Sequence, residues 1–199
     1  GERRLWSVIA DLLEHIARST NLTLDIDGTI IEADKGDATW TYKDVRGYHP
    51  LLGACTDLGL FVNSRFQQGS ASPQAELVNF VHECVDHLPG RIRTIRSDSA
   101  GYNHFLVNDC IQHHRRFTIT ADHDAAVMHT LSKIPRKAWK HGRSDNGGKA
   151  DYDVAETLHI MEHSLEEFRL VIKRTERTSQ SDLFEGNYHY WIIATNIPA

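Results

Sequence analysis

LTLDIDGTII, residues 22–31, is the stretch around which the rest of the chain is organised. Its leucines, isoleucines and threonines favour an extended strand over a helix. Asp25 and Asp27 stand two apart, so on a strand both project to one face. A carboxylate within an otherwise apolar strand is costly to desolvate unless something compensates it. Gly28 then weakens the strand at its end, where backbone and ligand commonly approach each other. Two acids at the mouth of a core strand point to a metal-dependent active site. The competing reading is structural: one of the acids caps a turn or pairs with a buried arginine.

Outward from that strand, 199 residues suffice for one domain with a sizeable core and room for an inserted subdomain. A composition of 40% apolar and 25% charged residues is that of an ordinary globular protein. The formal net charge of −5 argues against a stand-alone nucleic-acid-binding module. It leaves room for a nuclease-type core, whose acids hold cations. The apolar runs are too short to span a bilayer and no signal-peptide pattern opens the chain, so no membrane partner is expected. Gly1 is followed by LWSVIADLLEHI, already helical in spacing, which reads as a piece of something longer. Cys55, Cys84 and Cys110 are odd in number, lack CxxC spacing and lie in apolar surroundings. They read as buried free thiols in a reducing compartment.

The order of elements follows from periodicity and punctuation. A helix over 5–18 precedes the central strand. Residues 32–48 read as a loop or irregular hairpin, and 50–56 with 59–66 as an antiparallel hairpin turned at Asp57-Leu58-Gly59. A helix starts with Ser72 as N-cap and Pro73 as its first residue, and stops at Pro89-Gly90. A short strand, RIRTIR (91–96), runs into an acid and a turn at Ser97-Asp98-Ser99-Ala100-Gly101. A helix over 103–113, a strand over 116–120 and a helix over 124–133 come next. Residues 138–150 read as a polar, Gly-rich loop, and 152–159, 168–176 and 188–197 as three strands. This is a mixed sheet with three antiparallel strands followed by parallel additions, and it brings Asp27 and Asp98 near one edge of adjacent strands. Two carboxylates that close stay ionised only beside a cation. Oxygen ligands without a His or Cys partner at fixed spacing point to Mg²⁺ or Mn²⁺.

LDIDGTI (24–30), VRGYHPLLGA (45–54), IRSDSAGY (95–102) and RFTITADHDAAV (116–127) together resemble bacterial insertion-sequence transposases of the DDE type. IPRKAW (134–139), VAETLHIMEH (154–163), FRLVIKRT (168–175) and IIATNI (192–197) continue the resemblance in order. It implies an α/β fold: an RNase H-like mixed five-stranded sheet flanked by helices, with a β-rich insertion towards the C-terminus. Residues 1–134 would be the first part of the catalytic core, and 135–199 the insertion with its closing strand. The resemblance makes Asp27 and Asp98 the first two catalytic, metal-binding acids of a two-metal Mg²⁺ or Mn²⁺ site. It implies cleavage of transposon ends and strand transfer into target DNA by a homo-oligomer, in a bacterial cytoplasm near the nucleoid. The third acid of the family is a Glu on a helix after the closing strand, with a Tyr, Arg, Gly, Glu-Asn pattern. None is found before Ala199, so the chain is expected to be an inactive part of the core; Glu185, in the polar run SDLFEGNY, is the one late substitute.

DIDGTI also resembles the first motif of haloacid dehalogenase-like phosphatases. That alternative casts Asp25 as nucleophile and Asp27 as general acid with Mg²⁺, and Ser64 as the hydroxyl of a later motif. Smaller signals have ordinary readings. His159 and His163 are four apart but lack a third zinc ligand. GRSDNGGK (142–149) only grazes a phosphate-binding loop. Arg91, Arg93 and Arg96, and the turn His113-His114-Arg115-Arg116, could contact phosphates or form solvated faces. Trp40, Tyr42 and Tyr48 could stack on a flipped base or pack under a hairpin.

Overall fold

The computed structural model describes residues 8, 11–12, 21–41, 43–70, 73–143, 149–176 and 188–199. The expected N-terminal helix, the Ser72 cap, Tyr42 and Glu185 lie outside these, except that Val8, Asp11 and Leu12 are helical and exposed.

Strand β1 (Leu22–Gly28) is central, and its alternation is strict: Leu22, Leu24 and Ile26 are buried while Asp27 is exposed. Two short strands, β2 (Ile31–Glu32) and β3 (Thr39–Trp40), flank β4 (Arg46–Tyr48) in a small separate sheet. The hairpin of β5 (Leu51–Cys55) and β6 (Leu60–Arg65) follows, turning at Gly59 with a φ of +65°. Helix α1 (Pro73–His87) leads through Gly90 to β7 (Ile92–Ser97) and a 3₁₀ turn at Ser99–Gly101. Asn103 caps α2 (His104–Gln112), and β8 (Arg116–Thr120) leads to α3 (Ala125–Ser132), capped by Asp124. The tail holds β9 (Lys140–Arg143), β10 (Lys149–His159), β11 (Phe168–Glu176) and β12 (Tyr188–Thr195).

These strands form one sheet in the order β6-β5-β1-β7-β8-β12-β11-β10-β9. β1 is antiparallel to β5 and parallel to β7, which is parallel to β8. That is the mixed five-stranded core read from the sequence. The β-rich tail continues the same sheet, because β12 pairs antiparallel with β8 through Ile193–Thr120 to Thr195–Thr118. Two readings need correction. Residues 138–150 include a strand, β9, which polar Lys140, His141 and Gly142 disguised; it pairs with β10. The 32–48 segment is a three-stranded sheet whose strands are too short for periodicity to show.

Leu24, Ile95, Phe117 and Ile119 from the strands pack with Phe80, Cys84, Leu106 and Cys110 from α1 and α2 in one core. The three cysteines are free and buried, as expected. Burial pushes the Cys84 and Cys110 thiols up to about 12, so both are inert apolar filling.

Candidate active site

The site lies where β1 and β7 end. Ile26 stands beside Ser97 in the parallel register, so the next residues, Asp27 and Asp98, leave neighbouring strands together. Adjacent strands are about 4.8 Å apart, which sets the scale of their separation. Both acids are exposed and line one cavity of about 320 Å³. Asp98 is held by its own turn: its Oδ1 accepts the Ala100 N–H at 3.1 Å and starts the 3₁₀ turn.

Two glycines make this geometry possible by close approach. A Cβ on Gly28 would stand 2.6 Å from Nε2 of His49, a buried ring that also lines the cavity. A Cβ on Gly101 would stand 2.6 Å from Oγ of Ser97, directly before Asp98. The small residues in DIDG and SDSAG therefore let a buried histidine and a tight turn crowd against the two acids.

The same cavity is lined by Asp122, in the loop between β8 and α3. Sequence reading missed it, because a single Asp in a loop carries no periodicity; its only signal was its place just after a parallel core strand. No Lys or Arg lines the cavity among the described residues. Three carboxylates without a basic partner at the rim form an oxygen-rich, anionic pocket, the donor set of Mg²⁺ or Mn²⁺.

Asp25 has a different fate. It stands beside Arg96 in the register and accepts from Arg96 Nε and Nη2 in a two-pronged ion pair. The structural reading of a strand acid paired with an arginine thus holds for Asp25, although the Arg96 side chain is 53% exposed. Neither Asp25 nor Ser64 lines the cavity; Ser64 faces Leu52 across the β5–β6 ladder. The phosphatase arrangement is not assembled.

The minor signals take their ordinary readings. His159 ends a strand, buried, with Nδ1 2.9 Å from Thr130 Oγ1, and His163 lies in a turn with a φ of +64°. Tyr48 is buried, donates to Asp37 at 2.6 Å and packs on Phe66, while Trp40 is exposed. Arg115 is turned inward to Asp109 at 3.1 Å. Residues 144–148 of the glycine-rich run lie outside the described residues.

The sequence matches the family Transposase DDE domain group 1 over residues 2–197. The chain belongs to this family. Among curated proteins no sequence matches it. In three dimensions the DDE domain is similar to a piggyBac transposase, seen by cryo-EM in a synaptic complex with hairpin DNA. The TM-score is 0.52 at 11% identity, covering 89% of this chain and 33% of that one. At such identity the likeness speaks for the fold, and it agrees with the RNase H-like sheet. The chain spans about a third of the length of that transposase. Among the described residues no helix is long and apolar enough to cross a membrane.

Proposed function

We propose that the cavity between the ends of β1 and β7 is the catalytic centre of DNA strand cleavage and strand transfer at transposon ends. One observation carries this reading: Asp27 near the end of β1 and Asp98 directly after the parallel β7 open into one cavity that no Lys or Arg lines among the described residues. Asp27 and Asp98 would hold the divalent ions of a two-metal Mg²⁺ or Mn²⁺ site. Such ions supply Lewis acidity and charge neutralisation for an in-line phosphoryl displacement. The protein's own part is positioning. The Asp98 turn fixes one carboxylate through Ala100 N–H, and β1 fixes the other. His49 and Leu51 wall the cavity.

The partner is read as DNA, transposon ends and target alike, handled by a homo-oligomer of a bacterial insertion element near the nucleoid. The piggyBac complex supports the DNA partner by analogy of fold. Residues 1–134 would be the catalytic core and 135–199 the insertion that shapes DNA or synaptic contacts. The extension of the core sheet by β12 to β9 agrees with such an appended layer.

Calorimetric titration with Mn²⁺ tests the site. Binding by the wild-type chain, lost in Asp27→Ala and in Asp98→Ala but kept in Asp25→Asn, is the expected result. Unchanged binding in both alanine variants overturns the assignment. Salt-sensitive duplex binding tests the DNA partner separately.

A further inference from the structure

On helices α1 and α2, away from the residues of the acidic cavity, His82, Asp109 and His113 meet. Asp109 is 6% exposed, and a carboxylate so buried in a helix pair needs partners. Its Oδ1 lies 2.6 Å from His82 Nε2 and 3.2 Å from His113 Nδ1, while its Oδ2 accepts from Arg115 Nη1 at 3.1 Å. The two imidazole rings stand edge to face with centroids 5.3 Å apart. Both are reachable from solvent, their side chains being 43% and 45% exposed. One ligand atom from each of the three residues falls within 4.8 Å of the other two.

We propose that His82, Asp109 and His113 form a zinc-class metal site that clamps α1 to α2, separate from the catalytic cavity. Zinc takes nitrogen and oxygen ligands at about 2.0–2.2 Å in a tetrahedron, which sets its ligand atoms roughly 3.3 Å apart. The His113–Asp109 spacing of 3.2 Å already meets that value. The His82–Asp109 spacing of 2.6 Å opens with a small rotation of an exposed ring. The ion displaces the hydrogen bond that His113 Nδ1 makes to the Asp109 carbonyl at 2.9 Å. Arg115 is the outer partner: by holding Oδ2 it aims Oδ1 at the ion and offsets the buried charge. Two imidazoles and one carboxylate are a borderline set that selects Zn²⁺ or Co²⁺ over Mg²⁺, the opposite preference to the three carboxylates of the acidic cavity. The fourth position is left to water.

The test uses the full chain stripped of metal by a chelator. Co²⁺ is added while the visible absorption is followed, and Zn²⁺ is titrated by calorimetry. The expected result is an intense, tetrahedral-type Co²⁺ spectrum displaced by one equivalent of Zn²⁺ and untouched by excess Mg²⁺. An Asp27→Asn, Asp98→Asn double variant should keep this binding. His82→Gln and His113→Gln should each weaken it by about 100-fold or more, since even an outer partner is worth about 10–100-fold. Both variants keep the Asp109–Arg115 pair, so their metal-free melting midpoints should stay near wild type. Zn²⁺ should raise the midpoint of the wild type and of the Asp27→Asn, Asp98→Asn double variant, and leave those of the two histidine variants near their metal-free values. Absence of a tetrahedral Co²⁺ spectrum in the wild type overturns the proposal, as does a tetrahedral Co²⁺ spectrum that survives both histidine substitutions. In either case the cluster is only a buried carboxylate satisfied by Arg115 and two imidazole N–H groups.

Discussion

Arg96 on β7 grips Asp25 on β1 with two parallel hydrogen bonds, one from Nε and one from Nη2. Two residues further along β1, Asp27 faces the cavity instead. The pairing divides two similar carboxylates into a structural one and a candidate catalytic one. Exposed ion pairs are worth up to about 1 kcal/mol, and Arg96 is half exposed. Asp25→Asn should therefore lower stability by about 1 kcal/mol or less in denaturant titration, and should leave Mn²⁺ affinity within about twofold. A loss of metal binding as large as that of Asp27→Asn would return Asp25 to the site.

Gly28→Ala places a methyl carbon where His49 Nε2 would be 2.6 Å away. His49 is 3% exposed and has little room to retreat. Overpacking of this kind costs about 1–3 kcal/mol. The denaturation midpoint should fall accordingly, and Mn²⁺ affinity should fall with it, because β1 must shift just beyond Asp27.

Tyr102 closes the turn that carries Asp98, and its hydroxyl is buried without a hydrogen-bond partner among the described residues. Burial raises its pKa first, and the charges of Asp124 and Asp122 add to this, so the phenol stays neutral. An unsatisfied buried hydroxyl costs about 1–3 kcal/mol. Tyr102→Phe should thus be neutral or stabilising in thermal unfolding. Clear destabilisation would show that the hydroxyl has a partner.

His159 supplies a pH test. Burial lowers its pKa, while Asp124 opposes this more weakly. The unfolded chain, with imidazoles near 6.5, binds a proton before the folded one does. Stability from this group is therefore full above about pH 6.5 and declines as pH falls from there through the lower folded value. His159→Gln should flatten that decline in unfolding curves taken across the window. An unchanged slope would assign the acid sensitivity to other groups.

The sequence disclosed most of the sheet because its strands obey one physical rule each. β1 and β8 alternate buried apolar with more exposed residues, and β11 begins at the very residue, Phe168, that periodicity marks. Strands of two or three residues, such as β2 and β3, have no period to read. Asp27 and Asp98 were visible because each stands at the end of an apolar, strand-like run, Asp27 one residue before the end of β1 and Asp98 directly after β7. The His82–Asp109–His113 cluster was not, since Asp109 and His113 are one helical turn apart but His82 reaches them from another helix only through tertiary packing. His113 looked like part of a basic surface turn, yet Arg115 beside it is turned inward.

Asp122 tests how the cavity shares its charge. It lines the same cavity as Asp27 and Asp98, but it lies in a loop after β8 instead of on a strand end. Like charges so grouped repel in the metal-free protein, and a divalent ion reverses that cost. Asp122→Asn should therefore leave the metal-free protein as stable as wild type or more so. It should also weaken Mn²⁺ binding, by less than Asp27→Asn does, because a loop residue can hold the ion through water where a strand-end acid binds it directly. Melting curves with and without Mn²⁺ separate the two effects. The metal-induced rise in midpoint should shrink in Asp122→Asn and vanish in Asp27→Asn. If Asp122→Asn keeps the full rise, the ion is held without Asp122, and this aspartate only contributes to the field at the rim.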